Sequence, residues 1–242
     1  MNCHKHSYRW LLFLLLLLPD VVTAGHLVLQ QVNQSVYVFV TFQNYEGVPF
    51  PANGVYVLTS AGAVLVDAPW DTTQVLPLID SIRTRHHVPV IACIATHFHE
   101  DRTGSIDVLK RLGIPTWSSA MTRELCHKEG FPEAENTFLN DTSFVFGDTK
   151  LQTFYPGKGH APDNIVVWLD KYKILIGGCF VKSVESTSLG NLSHADVKAW
   201  PESVRKTMQK FPDPDFVIPG HFGWLQHHSL EHTLKLLRKH KA

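Results

Sequence analysis

The pentapeptide HFHED, residues 97–101, follows directly on the apolar run VPVIACIAT, residues 88–96. A continuous apolar run rich in β-branched residues is typical of a strand that is covered on both faces. Two histidines, a glutamate and an aspartate at the end of such a strand would destabilise the fold unless something binds them. The stretch therefore predicts a binding site at the end of a buried strand.

Three of these side chains have a spacing that suits a metal ion. His97, His99 and Asp101 stand at alternate positions, and on an extended chain residues two apart point to the same side. Neutral imidazoles and carboxylates are ordinary zinc ligands. An H-x-H pair alone is common on protein surfaces, and the aspartate and the buried strand before it strengthen the prediction of a metal site.

Three later residues share this setting at the end of an apolar strand. His160 lies in YPGKGHAPDN, Cys179 in ILIGGCF and His221 in FVIPGHF. Ligands of open α/β sheets collect outside the carboxyl ends of the strands. Six such donors suit two zinc ions, with three histidines for one and an aspartate, a cysteine and a histidine for the other. Three protein ligands per ion leave room for water, which is the pattern of catalytic zinc.

Composition sets the class of the protein. The chain has 242 residues, of which 44% are hydrophobic, enough for one sizeable α/β domain. Lys and Arg together number 22, as do Asp and Glu. Because no basic stripe stands out, composition gives no support for a nucleic-acid partner.

The first 24 residues have the features of a secretory signal peptide. Lys5 and Arg9 precede the run LLFLLLLL, residues 11–18, which is too short to span a bilayer as a helix. Small residues at the spacing of a cleavage site end at Ala24. We therefore expect residues 1–24 to be removed and residues 25–242 to form a single domain. The alternative is that the segment stays in place as a membrane anchor.

The mature chain would keep an odd number of cysteines, Cys93, Cys126 and Cys179. An exported free thiol needs a reason to stay free. Cys93 lies inside an apolar strand and Cys126 in a helical stretch, where both are expected to pack as small hydrophobes. A thiolate at Cys179 that binds zinc would need no disulfide partner.

Strands and helices alternate along the chain. Apolar or alternating runs predict strands at residues 26–32, 36–42, 55–58, 63–67, 88–96, 143–145, 151–155, 164–169, 173–176 and 216–219. Helical periodicity predicts helices at residues 71–85, 202–211 and 229–239, and through Ile106 and Leu109 to Gly113. Residues 44–54, with two prolines and two glycines, are predicted to form an exposed loop.

The order of these donors resembles that of the class B metallo-β-lactamases, and in particular their dizinc subclass with a cysteine ligand. The resemblance covers essentially the whole mature chain. It is carried by H-x-H-x-D, by the later His, Cys and His, and by DAPW (67–70), HAPDNIVVWL (160–169), GGCFVKS (177–183) and LGN (189–191). Phe222 stands where family members often have glycine, and His194 where an acidic residue is common.

The resemblance implies a fold and a set of residue roles. The fold would be the α/β class in its αββα sandwich form, two mixed sheets face to face with helices outside. His97, His99 and His160 would hold one Zn²⁺, and Asp101, Cys179 and His221 a second. Lys182 would bind the substrate carboxylate, and Asn191 would lie beside the lactam carbonyl. Trp70 and Phe50 would line the pocket, with Phe50 on a substrate-covering flap.

The implied function is hydrolysis of the β-lactam ring of penicillins, cephalosporins and carbapenems, which confers antibiotic resistance. A zinc-bound hydroxide, oriented by Asp101, would attack the carbonyl carbon, and Asn191 would help to stabilise the charge on the oxygen. We expect a monomeric enzyme of the periplasm that binds a small β-lactam substrate, without a nucleic-acid partner or a membrane anchor.

Simpler interpretations remain for some of these residues. Lys182 could be a solvated surface lysine, and Trp70 could be a packing residue only. Residues 44–54 could be a plain hairpin turn rather than a flap. Asn191 also lies in an N-x-S sequon, as do Asn33 and Asn140, and this matters only in a host that glycosylates.

Two other functions compete with β-lactam hydrolysis. A thioester hydrolase or nuclease of the same broad superfamily would show H-x-H-x-D-H and a bridging aspartate. Here Arg102 follows the aspartate and Cys179 replaces the second one. A zinc-storage or zinc-delivery protein would leave Lys182 and Asn191 without a role.

Overall fold

The computed structural model describes residues 22–24, 27–45, 47–139 and 141–241. Most of the predicted signal peptide, residues 1–21, lies outside the described residues. A short strand, β1 (Val22–Ala24), pairs antiparallel with β2 (Leu27–Gln31). Strand β1 lies within the segment that cleavage after Ala24 would remove, so the cleavage site stays a prediction.

The first sheet contains eight strands among the described residues, arranged in their order along the chain. After β1 and β2 come β3 (Val36–Tyr45), β4 (Val48–Thr59), β5 (Gly62–Val66), β6 (Val90–Ile94), β7 (Thr116–Ser119) and β8 (Asn136–Phe138). Pairing is antiparallel from β1 to β5 and parallel from β5 to β8. The sheet is therefore mixed.

The second sheet is also mixed and contains five described strands. They are β9 (Ser143–Phe146), β10 (Thr149–Phe154), β11 (Val166–Leu169), β12 (Ile174–Gly178) and β13 (Phe216–Pro219). Their order is β13-β12-β11-β10-β9, and only β12 and β13 run parallel to each other. Parallel neighbours end at the same edge of the sheet, which brings Cys179 and His221 together.

Six α-helices lie in the described part of the chain. They are α1 (Val75–His86), α2 (Glu100–Thr103), α3 (Ile106–Arg111), α4 (Ala120–Glu129), α5 (Trp200–Lys210) and α6 (Ser229–Lys241). The carboxylate of Asp71 accepts a hydrogen bond from the Thr73 amide and caps the short 3₁₀ turn before α1, as the sequence predicts. None of these helices is both long and apolar enough to cross a bilayer.

Three apolar layers hold the structure together. Leu78 and Ile82 of α1 pack with Leu65 on the outer face of the first sheet. Between the sheets, valines of β3, β4 and β5 pack against residues of β11 and β12 such as Val167 and Ile176. Helices α5 and α6 cover the outer face of the second sheet. The αββα sandwich is confirmed.

The prediction of an exposed loop at residues 44–54 is wrong. Strand β4 begins at Val48, and its pairing with β3 extends to Tyr45 and Val48 at the hairpin tip. Pro49 and Pro51 are compatible with this strand because they share the parity of Asn53, whose amide donates away from β3 to the Gly220 carbonyl. A proline at such a position removes no hydrogen bond from the β3–β4 ladder.

The single helix predicted after HFHED is instead two short helices, α2 and α3. The break falls at Gly104 and Ser105, between the two helices. A Cβ at Gly104 would lie 2.7 Å from the Glu100 carbonyl oxygen and 3.0 Å from that of Trp70. The bend therefore depends on a close approach that only glycine permits, and it holds α2 against the segment that follows β5.

Candidate metal centre

The six predicted ligands lie at strand ends that face one another. His97 and His99 stand between β6 and α2, and Asp101 lies in α2. His160 lies in the loop between β10 and β11, and Cys179 directly follows β12. The sixth residue, His221, follows β13 by two positions. The two sheets thus contribute ligands to one shared edge.

The three histidines of the first predicted site point ring nitrogens at one another. The Nδ1 atom of His99 lies 3.1 Å from His97 Nε2 and 3.1 Å from His160 Nε2. Tetrahedral zinc with Zn–N bonds of about 2.0–2.1 Å places its nitrogen ligands about 3.3 Å apart. The spacing of these nitrogens therefore fits a zinc ion.

The second predicted site joins a carboxylate, a thiol and an imidazole. The Sγ atom of Cys179 lies 3.0 Å from Asp101 Oδ2 and 3.2 Å from His221 Nε2. His221 Nε2 is 3.1 Å from the same carboxylate oxygen. Asp101 Oδ1 lies 4.0 Å from His97 Nε2, so the two groups of ligands adjoin. A carboxylate, a thiolate and an imidazole form a donor set that zinc accepts.

Hydrogen bonds to the far side of two rings select the tautomer that binds metal. His221 Nδ1 lies 2.6 Å from the carbonyl oxygen of Pro51, which can only accept, so the ring is protonated there and Nε2 is free to bind metal. His99 Nε2 lies 3.0 Å from His194 Nδ1. If His99 donates this hydrogen bond, its Nδ1 carries the lone pair that faces the cluster.

Asp67 connects the end of β5 to the ligand segment. Its carboxylate accepts hydrogen bonds from the Thr96 amide at 2.7 Å and from the Thr96 hydroxyl at 3.1 Å. The Thr96 oxygen in turn lies 3.4 Å from His97 Nδ1. Asp67 has a positive φ of 70°, a strained conformation for a non-glycine residue. This strain is located where the fold positions the first ligand.

Arg102 is a site residue whose role the sequence did not reveal. The side chain is fully buried and donates to Asp101 Oδ2 at 3.0 Å and to Cys179 Sγ at 3.1 Å. It also donates to the backbone carbonyls of Asn53 and Gly220. One guanidinium thus contacts two predicted ligands and the segments on either side of them.

Gly220 is part of the same arrangement. A Cβ at this position would lie 2.6 Å from the Cys179 amide nitrogen, 2.7 Å from Cys179 Sγ and 2.8 Å from an Arg102 nitrogen. Real Cβ atoms do not approach backbone and buried groups so closely. The glycine before His221 therefore lets β13 lie against the cysteine ligand.

The electrostatics of the cluster favour neutral imidazoles and an ionised aspartate. Burial lowers the pKa of His99 to about 4 and that of His160 well below its ordinary value. Burial alone would raise the pKa of Asp101, but Arg102 and His221 hold it well below its usual range. These are the protonation states that bind metal.

Cys179 is the exception within this set. Burial raises the pKa of its thiol, although the Arg102 guanidinium beside it acts in the opposite direction. The protein therefore does not supply a thiolate by itself at neutral pH. A divalent cation at the Asp101, Cys179 and His221 group would supply the missing positive charge.

Lys182 is buried rather than solvated. Its side chain is 8% exposed, and its Nζ lies 5.4 Å from the centre of the Trp200 ring. Burial lowers the pKa of the Lys182 ammonium, whereas Cys179 and Asp101 raise it. A lysine held in this way is not a free surface cation, which favours the predicted role over the surface interpretation.

The structure does not bring Asn191 into contact with the ligands. Asn191 is exposed, and its side-chain oxygen accepts a hydrogen bond from the Ser193 amide at 2.9 Å. The neighbouring Gly190 lies close to Lys182, since a Cβ there would be 3.9 Å from Nζ. The loop is therefore beside the predicted carboxylate site, and the catalytic role of Asn191 stays a prediction.

Phe50 and Trp70 form an aromatic group beside His221. The Phe50 ring centroid lies 5.2 Å from that of His221 and 6.4 Å from that of Trp70. Trp70 lies 6.3 Å from His221, and both residues are half-buried. The hairpin of β3 and β4 thus places an apolar surface next to one predicted ligand.

Comparison with known proteins gives consistent matches across most of the chain. Residues 47–221 match the family described as the Metallo-beta-lactamase superfamily. A "Metallo-beta-lactamase type 2" of Elizabethkingia meningoseptica is 38% identical over 237 residues, which are 96% of this chain and 95% of that protein. A protein of the same name from Bacillus cereus is 40% identical over 214 residues, 88% of this chain and 84% of its own.

Solved structures agree with these sequence matches. The metallo-beta-lactamase IND-7 superposes with a TM-score of 0.86 at 35% identity, covering 89% of this chain and all of its own. A metallo-beta-lactamase from Pontibacter korlensis gives 0.84 at 35% identity, covering 88% of this chain and 99% of that one. Fold and sequence therefore point to the same family.

Proposed function

We propose, because the chain belongs to the metallo-beta-lactamase superfamily, that it is a zinc-dependent hydrolase which opens the β-lactam ring of antibiotics. The observation that carries this conclusion is the adjacency of the two ligand groups. Their donor atoms lie within 4.8 Å of one another inside each of three overlapping sets, which share His97 and Asp101.

The donor set supports two zinc ions per chain. His97, His99 and His160 would hold one, and Asp101, Cys179 and His221 the other. Each group offers three protein ligands, as catalytic zinc sites do, and leaves positions open for water and substrate. Zinc, when bound, supplies Lewis acidity and lowers the pKa of water to about 7, so that a nucleophile is available at neutral pH.

Asp101 is suited to orient a nucleophile rather than to remove its proton. Its Oδ2 accepts hydrogen bonds from Arg102, and its Oδ1 faces the group that contains His97. Since its pKa lies well below the usual range, the carboxylate stays ionised and is a weak base. A hydrogen bond from water to Oδ1 would aim the water oxygen at the lactam carbonyl carbon.

Lys182 and Asn191 would position the substrate. A β-lactam carries a carboxylate near its strained amide, and the Lys182 ammonium would bind it as a point charge. The arrival of that carboxylate favours the charged form of a lysine whose pKa burial has lowered. Asn191 would hydrogen-bond the carbonyl oxygen as negative charge develops on it.

The hairpin of β3 and β4 supports a broad substrate range. Its apolar residue Phe50, with Trp70, offers contact without directional hydrogen bonds and so tolerates varied side chains. We expect penicillins, cephalosporins and carbapenems to be opened and monobactams to be largely spared. Rapid hydrolysis of a monobactam with no carbapenem turnover would contradict this range.

Export, processing and assembly complete the proposal. Residues 1–24 would be a signal peptide, and residues 25–242 a single domain that acts as a monomer in the periplasm. The charged residues and the long leucine run at the start of the sequence support export. Edman sequencing of the exported protein tests the cleavage site, and light scattering tests the monomer.

Hydrolysis of nitrocefin, a chromogenic cephalosporin, by the purified protein tests the function. Activity should disappear with a chelator and return with zinc. A thioester and a single-stranded DNA serve as substrates for the two rival hydrolase reactions. Turnover of either in place of nitrocefin would favour a rival, and zinc binding without any turnover would favour a storage protein.

A further inference from the structure

Phe222, directly after the ligand His221, has a backbone conformation that its side chain disfavours. Its φ is 63°, in the left-handed region where a Cβ crowds the following carbonyl oxygen. Glycine adopts this conformation without such crowding. An aromatic residue at this position is therefore a local outlier beside the predicted active site, and such outliers concentrate at functional sites.

The surrounding contacts hold this conformation in place. The Phe222 carbonyl accepts a hydrogen bond from Asn53 Nδ2 at 2.8 Å. The next amide, that of Gly223, donates to Glu185 Oε2 at 2.9 Å, and the Gly223 carbonyl accepts from the Ser183 hydroxyl at 2.7 Å. Because the backbone is fixed on both sides, the direction of the Phe222 side chain is fixed as well.

The ring of Phe222 extends the aromatic group beside His221. Its centroid lies 5.2 Å from that of Phe50 with an interplanar angle of 77°, an edge-to-face arrangement. It lies 6.4 Å from the His221 ring. The residue nevertheless remains 38% exposed. We call Phe50, Trp70 and Phe222 the aromatic wall; it offers solvent a partly open apolar surface next to a ligand.

The aromatic wall and the predicted carboxylate site lie at different ends of the ligand cluster. The wall surrounds His221, whereas Lys182 Nζ lies over the Trp200 ring, which in turn lies 5.8 Å from the His160 ring. Penicillins carry their carboxylate and their acylamino side chain at opposite ends of the bicyclic nucleus. A carboxylate bound by Lys182 therefore directs the acyl side chain toward the wall.

We propose that Phe222 is a specificity-determining residue that favours β-lactams with an aromatic acyl side chain. This inference rests on the proposed function. An aromatic substituent could pack against the exposed edge of Phe222 and the face of Phe50. Such ring pairs stabilise beyond the effect of buried area alone. A nucleus without the acyl group would gain nothing from this ring.

Steady-state kinetics on two matched substrates test the proposal. Benzylpenicillin carries an aromatic acyl side chain, and 6-aminopenicillanic acid is the same nucleus without it. Phe222→Gly and Phe222→Asn both tolerate a positive φ and remove the ring. Both should lower the ratio of the two kcat/KM values about tenfold, mainly through a higher KM for benzylpenicillin. Phe222→Tyr, which keeps the ring, should retain the wild-type ratio.

Two controls separate this effect from structural damage. Lys173→Gly introduces glycine at another exposed residue with positive φ, 48°, remote from the site, and should keep the ratio. Zinc content of each Phe222 variant should equal that of the wild type. An unchanged ratio, or equal losses on both substrates together with lost zinc, would overturn the proposal. Wild-type protein that opens neither substrate would instead refute the proposed function.

Discussion

Arg102 and Cys179 show how single residues prepare this site for metal. The guanidinium donates to the thiol sulfur and to the Asp101 carboxylate, yet burial still raises the pKa of the thiol. Buried charges destabilise a protein unless they are paired. The Asp101 carboxylate therefore has its partner in Arg102, whereas a thiolate at Cys179 needs a cation in addition.

The substitution Cys179→Ser should remove the second zinc selectively. A hydroxyl is a poor zinc ligand, whereas His97, His99 and His160 are untouched and should keep the first ion. The variant should remain folded, purify with close to one zinc and lose much of its kcat. Elemental analysis beside a thiol titration of the wild type checks this. If Cys179 reacts equally fast with and without zinc, it is not a ligand.

The substitution Lys182→Ala should raise KM far more than it lowers kcat. The reason is that the ammonium binds the substrate carboxylate in the ground state and in the transition state alike. A charge-assisted contact of about 1.5–3 kcal/mol corresponds to about a tenfold to hundredfold loss of kcat/KM. A variant with unaltered kcat/KM would return this lysine to a purely structural role.

Asp163 should make the protein less stable as the pH rises. Burial raises the pKa of its carboxyl from 3.8 to about 7, against the Thr122 side chain and the Phe98 backbone, which lower it. The folded state thus binds the proton more tightly than the unfolded state. This contribution to stability is complete below pH 3.8 and is lost as the pH rises to about 7.

Urea unfolding of wild type and Asp163→Asn across this pH range measures the effect. The free energy of unfolding of the wild type should fall relative to the variant, by up to about 1.4 kcal/mol per pH unit. Asparagine cannot titrate, so the difference between the two proteins isolates this carboxyl. Parallel curves for the two proteins would show that Asp163 is already ionised in the folded state at low pH.

The sequence was sufficient to predict the six ligands but not the residues that support them. The ligands stand out because polar donors directly follow apolar strands. Arg102, Asp67 and Asn53 act through contacts with residues distant in sequence, such as the 118-residue separation between Arg102 and Gly220. No local pattern reports such a contact. Arg102 was noted only as a departure from another motif.

At the scale of elements, the β3–β4 hairpin both covers and supports the site. Its tip carries the exposed residues Tyr45 and Val48, and its outer edge binds the segment that contains His221. Pro51 supplies the carbonyl that orients His221, and Asn53 donates to the Pro219 and Phe222 carbonyls. Motion of this hairpin would therefore be coupled to the second predicted zinc site.

The substitution Asn53→Ala should weaken that coupling. It leaves two buried or half-buried carbonyls without their donor, at about 1–3 kcal/mol of stability. It should also lower the affinity of the second zinc, because His221 is held less firmly. Asn136→Ala, which removes an amide contact to Thr116 on the distant strand β8, is the matched control. Equal zinc affinities in the two variants would contradict the coupling.

The hairpin is also where prediction from sequence failed. Prolines and glycines in residues 44–54 indicate a loop when only local propensity is considered. Whether a proline disrupts a strand depends on which edge its nitrogen faces, and that is a property of the neighbouring strands. The outer edge of β4 binds the His221 segment, so residues that disfavour a central strand are tolerated there.

At the scale of the whole molecule, the sandwich brings together two strand edges that are far apart in sequence. One sheet contributes the HFHED segment after β6, and the other contributes Cys179 and His221 after its parallel strands β12 and β13. Alternating patterns predicted the strands and helices, but strand order and layer contacts follow from long-range packing. The resemblance to a family provided them, and the structure confirmed them.

Zinc titration of the metal-free protein, with β-lactam hydrolysis recorded at each step, tests the central claim most directly. The chelator-treated protein should be folded and inactive toward a carbapenem. Activity should return as zinc is added and should reach its maximum at two equivalents per chain. Full turnover by protein with only trace metal, or two tightly bound zinc ions without any ring opening, would contradict the account.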